Sequence, residues 1–383
     1  MGAFTLKVAA GICFALIPAA ATALDLTVGS GAAQNCPQAT YAIAFTADAI
    51  AYVEPAPVLT VTRYGAGHYS PAANNDLGIG IGFAELTGGA NGFCVGALFR
   101  TEYRDEASPG LLDALVANHF GHPFDAGRTY QLALSDSSYK AEGVRIRRVA
   151  DLDLTKQWSI KIGFAASYLH ALQGQQESVS GSVTATSQTY AVGVGTWLNT
   201  QSNMNLDNFN PFVAPGDPGG DGFSTDFEFI AQSTSGLSLD IIVMDALGRI
   251  YWHDVPQSLK ILNNATISYN ANFDRDAFVT GLDSRVSFVQ DLVPKYHLAF
   301  NAPVTQKLSA VVEDDFVDGY HFPSLGARYG KDERFALVNI DLRTRAVGLG
   351  AKWRSVSLLL TTNNVRVNDA TVLGVSIQAM HVW

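Results

Sequence analysis

From about residue 57 to its end the chain repeats one theme: runs of roughly eight to thirteen residues with a large apolar side chain at every second position. Each run closes on a short polar turn. A period of two places successive side chains on opposite faces of a strand. Leu77, Ile79, Ile81 and Phe83 share one face, and Gly78, Gly80, Gly82 and Ala84 share the other. Trp158, Ile160, Ile162, Phe164, Ala166 and Tyr168 oppose Ser159, Lys161, Gly163, Ala165 and Ser167, with aromatics at both ends of the apolar stripe. Tyr190, Val192, Val194, Thr196 and Leu198 alternate with Ala191, Gly193 and Gly195. Near the C-terminus Val347, Leu349, Ala351 and Trp353 alternate with Gly348, Gly350 and Lys352, then Arg354-Ser355 forms a turn before Val356, Leu358 and Leu360. Such a chain must build sheet, and the second face of that sheet is small rather than charged.

A soluble sandwich exposes polar side chains on its outer faces. Here only 16% of residues are charged and 48% are hydrophobic, against roughly 25% charged in an ordinary soluble domain. After the first two dozen residues no stretch approaches the ~18 uncharged apolar residues of a membrane helix. A chain that is apolar on average but never continuously so reads as an all-β, transmembrane, antiparallel up-and-down β-barrel, closed so that no strand edge faces lipid. The small face then suits a crowded inner wall. At ~22 residues per strand with its loop, the chain after its leader supports about 14 to 16 strands.

The leader is residues 1–23. Lys7 supplies a positive start, Val8 to Ala19 an apolar stretch, and Ala21-Thr22-Ala23 a small-x-small cleavage signal. Residues 24–56 form an Ala-rich N-terminal segment readable as strand or as plug, and 57–383 carry the barrel. Export leaves Cys36 and Cys94, an even pair in an oxidising compartment, which reads as a disulfide or as two small apolar residues. The net charge of −10 and pI near 5.2 argue against nucleic acid, which requires a basic face.

Two segments break the alternation. Residues 107–120 follow Ser108-Pro109 and read as a short helix in a loop or in the lumen. Residues 201–222, rich in Asn, Pro and Gly, read as the longest irregular loop, on the extracellular side.

The last run sets Leu373, Val375, Ile377, Ala379, His381 and Trp383 on one face. It resembles the C-terminal signature of Gram-negative outer-membrane β-barrel proteins, which end on an aromatic residue that serves as the insertion signal, here Trp383. The family prefers Phe last and Tyr two residues earlier, and this chain departs at both. The resemblance implies the cell outer membrane as location. Its implied partners are outer-membrane lipid, lipopolysaccharide and the barrel-assembly machinery. A second stretch, Ala47-Asp48-Ala49-Ile50-Ala51-Tyr52-Val53-Glu54-Pro55-Ala56, resembles the segment near the mature N-terminus of the long-chain fatty acid transporter family. There an Asn-Pro-Ala follows and a hatch fills the lumen; Glu54 stands in place of that Asn. This likeness implies 14 strands and a hydrophobic solute.

Side chains that could carry chemistry are few. His68 and Ser70 share a strand face and resemble the His-x-Ser pair of outer-membrane lipid hydrolases, although Pro71 follows where a strand would continue. His119 and His122 have i, i+3 spacing, but Gly121 and Pro123 interrupt any helix there. Asp217, Asp221 and Asp226 match no calcium loop, and Glu313, Asp314 and Asp315 read as a charged rim. Arg100, Glu102 and Arg104 alternate with Phe99, Thr101 and Tyr103, and Arg145 and Arg147 lie beside Arg148. If they project inward they line the lumen as a charged ladder. The reading is a non-enzymatic channel or porin-like transporter for small solutes, without metal or cofactor. The alternatives are a plugged transporter of hydrophobic solutes, a lipid hydrolase, and a structural or adhesive barrel.

Overall fold

In the computed structural model residues 36, 38, 41–54, 58, 76–120, 125–187, 190–204, 216–268, 279–331 and 334–383 are described. They form one antiparallel sheet of sixteen strands. These are β1 (Ala42–Val53), β2 (Asp76–Ala90), β3 (Phe93–Ala107), β4 (Thr129–Asp153), β5 (Trp158–Ala185), β6 (Tyr190–Gln201), β7 (Gly219–Ser233) and β8 (Ser238–Ser268). Then come β9 (Val279–Asp291), β10 (Lys295–Pro303), β11 (Leu308–Val317), β12 (Tyr320–Lys331), β13 (Arg334–Asp341), β14 (Val347–Trp353), β15 (Val356–Thr362) and β16 (Val372–Val382). The sheet closes because β1 pairs with β16 from Ala42↔Val382 to Tyr52↔Val372, and β8 pairs with β10. Closure leaves no edge, as a lipid environment requires.

Sixteen strands make fourteen staves, because two staves are broken at mid-height. β6 and β7 both pair with β5, over Gln175–Ala185 and Trp158–Ala171 respectively, so together they form one stave interrupted by residues 202–218. The segment read as a loop between strands is therefore an insertion within a stave, and its last residues, from Gly219, already belong to β7. β9 and β10 likewise share β8 as partner and break at Leu292–Pro294, where proline cannot donate to a ladder.

Asn91-Gly92, residues 154–157, 234–237 and 304–307, and Arg354-Ser355 make short turns at the end that also holds Ala42 and Val382. Short turns mark the periplasmic end of such barrels. Above it runs an outward belt of exposed large apolar side chains, including Ile43, Phe45, Phe93, Val95, Phe99, Ile146, Phe164, Leu349 and Trp353. β4, β5 and β8, of 25, 28 and 31 residues, continue well past that belt on the extracellular side. The helix α1 (Pro109–Phe120) follows β3, with the Ser108 hydroxyl accepting from Leu111 N at 3.3 Å, and it packs beside β4 through Ala114 and Leu132. This is the helix that Ser108-Pro109 predicts.

Two expectations need correction. Residues 42–53, assigned with the N-terminal segment, form a full stave, so the barrel begins at Ala42. The Ala-Asp-Ala stretch therefore lies in the wall and forms no hatch. The rule that small residues line the inside also fails on β2: Leu77, Ile79, Ile81 and Phe83 are buried inside, and the glycines face out. Tyr103 and Asp105 on β3 lie over those glycines, and a Cβ at Gly78 would stand 2.9 Å from the Asp105 carboxylate. On β14 the rule holds, with Leu349 and Trp353 outside.

Candidate functional site

The interior is layered along its axis. Toward the extracellular end lies an apolar tier. On one side Ile50, Tyr52, Leu77, Ile79, Ile81, Val317, Phe322 and Val372 pack together, with Tyr52 edge-on to Phe322 at 5.6 Å. On the other side Leu98, Tyr139, Leu169, Ile250, Trp252 and Leu292 form a second cluster.

Trp252 lies at the broken stave. Its ring covers Gly174 of β5 and Gly220 of β7; a Cβ at Gly220 would stand 2.7 Å from it. Its indole N–H donates to Gln290 Oε1 at 2.8 Å, and Gln290 in turn donates to Ser137 Oγ on β4. Ser202, at the start of the insertion, completes the ladder that β5 has lost: its N donates to Gly174 O, and Gly174 N donates to its hydroxyl.

Toward the periplasm the lining changes to charge. Arg147 donates to both Glu85 oxygens and, at 2.9 Å, to Thr87 Oγ1. Arg145 pairs with Asp226 and lies 3.6 Å from Glu85. Arg100 pairs with Asp245 and with Glu102 at 2.8 Å. Lys295 reaches Glu102 at 2.9 Å and Asp245 at 3.0 Å. Ser224 Oγ donates to Asp245 at 2.6 Å, and the Asp245 N–H donates to Asp226 at 2.8 Å. Four cations and four anions thus form one connected network across β2, β3, β4, β7, β8 and β10. Arg145, Arg147, Lys295 and Asp245 are each at most 1% exposed. A buried network of this kind specifies an arrangement more than it adds net stability, since desolvation offsets much of the attraction.

Below the charged tier Cys36 and Cys94 form a disulfide, buried with Val149, and the Gln38 amide donates to Val149 O at 2.8 Å. The N-terminal segment is therefore fastened at the inner face of the periplasmic mouth.

Arg100, Glu102, Arg145 and Arg147 all point inward, but they meet carboxylates rather than an open path. Arg104 also points inward, pairing with Asp318 of the β11–β12 turn on the far wall. Arg148 points out and donates to Asn91 O. Asp226 belongs to the charged tier, whereas Asp221 is exposed and accepts from Tyr168, so the three aspartates read as a loop set do not converge. Asp315 faces in toward His297 at 3.0 Å, and Asp314 pairs with exposed His321. Among the described residues no group of three or more His, Cys, Asp or Glu side chains is placed to hold a metal. His68, Ser70, His122 and the His119 side chain lie outside the described residues. Trp383 ends the chain exposed at the periplasmic rim, its N–H donating to Tyr41 O at 3.1 Å.

Sequence reading missed Glu85, Asp245 and Lys295. Glu85 carries a signal, being a lone charge in phase with Leu77, Ile79, Ile81 and Phe83. Asp245 carries none. Alternation sends Met244 inward, so Asp245 should face lipid. Between Thr225↔Leu247 and Phe227↔Val243 three residues of β8 oppose Asp226 alone. That bulge, with Asp245 at φ 57°, swings its carboxylate into the lumen.

No family model matches the chain, and no curated protein matches it in sequence. Among solved structures it is similar to a deletion mutant of TodX, a monoaromatic hydrocarbon channel, at 10% identity over 95% of both chains with a TM-score of 0.44. A FadL homologue of Pseudomonas aeruginosa aligns at 11% identity over 96% of this chain and 99% of the other, with a TM-score of 0.28. The toluene transporter TodX of P. putida aligns at 9% identity over 91% of each, with a TM-score of 0.24. The closed ring of staves and its apolar belt are the architecture of an outer-membrane β-barrel.

Proposed function

We propose that this barrel is an outer-membrane transporter that admits small hydrophobic solutes from outside and is closed to ions at rest. The observation that carries the reading is the order of the tiers: an apolar, aromatic lining on the extracellular side, resting on a charged layer whose cations pair with carboxylates. A hydrophobic solute gains by leaving water for such a lining, at about 25 cal/mol per Å² of apolar surface buried. A diffusive porin works differently, with charged side chains facing a water path. Here the arginines face carboxylates.

The test is uptake of a labelled small aromatic hydrocarbon by cells whose outer membrane carries the protein, beside cells carrying an unrelated barrel. Planar-bilayer recordings of the purified chain accompany it. Faster uptake with a silent bilayer supports the proposal. Steady ionic conductance with no gain in hydrocarbon uptake would assign the barrel to the porins instead.

A further inference from the structure

The charged tier has one member on which its cross-lumen contacts converge. Asp245 is wholly buried and accepts from Arg100 on β3, Lys295 on β10 and Ser224 on β7. Its backbone N–H also fixes Asp226, the partner of Arg145 on β4. Glu102 ties the same two cations together from the opposite wall, and the Tyr139 hydroxyl donates to it at 3.1 Å.

The wall that carries Asp245 is irregular on both sides. The β8 bulge disrupts the ladder with β7, and at the same height the neighbouring stave breaks between β9 and β10. Leu292 N reaches across that break to Gly248 O at 3.0 Å. A bulge beside a broken stave is the segment of a barrel wall least restrained by ladder hydrogen bonds. The carboxylate that joins the walls therefore sits on the part of the ring freest to shift.

We propose that Asp245 is the keystone of a charge gate. Turned inward by the β8 bulge, it holds Arg100 and Lys295 together across the lumen, and its loss opens a path and shifts its ion preference toward anions. The preference follows from the arithmetic of the tier. Within the network Arg100, Arg145, Arg147 and Lys295 balance Glu85, Glu102, Asp226 and Asp245, and Asp48 and Glu228 are buried at the same height, so removing Asp245 shifts a constriction of low dielectric toward positive charge. Removing Lys295 instead shifts it toward negative charge. The inference rests on the proposed transport reading only for the gate's purpose.

The experiment is planar-bilayer recording of the refolded full chain, insertion verified, for the parent, Asp245→Asn and Lys295→Gln. The parent is expected to be nearly silent. Asp245→Asn should raise the time spent conducting by about tenfold or more, as follows from stranding buried cations, with a reversal potential in a salt gradient displaced toward anions relative to Lys295→Gln. Lys295→Gln should also conduct, with a preference for cations. The double variant Arg100→Gln/Asp245→Asn should conduct with a reversal potential between the two. If Asp245→Asn does not refold, Lys295→Gln decides alone, by conduction and its sign. Correctly inserted variants that stay silent, or whose reversal potentials coincide, would overturn the gate, as would a parent that conducts like its variants. Hydrocarbon uptake measured on the same parent keeps the two ideas apart: lost uptake with intact gating removes the solute class and leaves the keystone standing.

Discussion

Beyond the apolar belt, on the extracellular extension, the register sets three acids in a row. Asp105 on β3 pairs directly with Asp136 on β4, and Asp136 with Glu177 on β5. Like charges directly opposite across strands repel. Burial, with the mutual repulsion adding, pushes Asp136 up to about 8; burial likewise pushes Asp105 to about 6 and Glu177 to about 7, against the pull of Arg104 and Lys260. Gln175 donates to Asp136 at 2.7 Å and to Glu177 at 3.3 Å. The fold therefore retains protons that the unfolded chain has released. Stability is complete below the unfolded carboxylate range near pH 4 and falls as pH climbs through 6 to 8, because the folded state binds more protons over that window.

For Asp136 the interval from 3.8 to about 8, at 1.36 kcal/mol per pH unit, sets a ceiling of about 6 kcal/mol. Asp136→Asn keeps an oxygen for Gln175 and removes the charge. Urea unfolding in micelles, followed by tryptophan fluorescence, should find parent and variant alike at about pH 4, with the variant more stable by a few kcal/mol at about pH 9. Parent and variant curves that stay parallel across pH would refute the argument, since the row would then cost nothing when ionised.

Trp252→Ala should cost about 3–5 kcal/mol, because the indole is buried over the broken stave and its removal leaves a cavity and an unpaired Gln290; the same urea titration measures it. Cys36→Ser, or reduction, should cost about 4 kcal/mol, since the bridge closes a 58-residue separation; a shift of under about 1 kcal/mol would mean that other contacts already restrain the segment. Trp383→Ala should slow insertion while leaving the finished barrel's unfolding midpoint little changed, because the side chain is exposed; pulse-chase of heat-modifiable protein separates the two.

Alternation made the sheet, its closure and its membrane setting readable, because a period of two is imposed on every strand by backbone geometry. β14 and β16 follow it closely. The inside and outside of β2 were not readable, because large residues on either face satisfy the pattern when the lumen is as apolar as the lipid. The inward arginines were visible as a phase relation, yet their partners were not. Glu85 lay in an apolar phase, and Asp245 changes face through a bulge that no residue type announces. The broken staves escaped for the same reason: the pieces on either side of residues 202–218 each alternate properly, and only pairing with β5 reveals one stave.

The seam between β1 and β16 joins residues from opposite ends of the chain, so the ring cannot seal until the last strand has been made. The first three strands must wait for it, with β1 as an unpaired edge. The bond between Cys36 and Cys94 already spans that waiting segment. Formed before insertion, it ties the leading strand and its hairpin neighbours into one covalent lasso and lowers the entropy lost when the seam finally meets. In that light the bridge is also an assembly jig, holding the chain's first edge in place for its last.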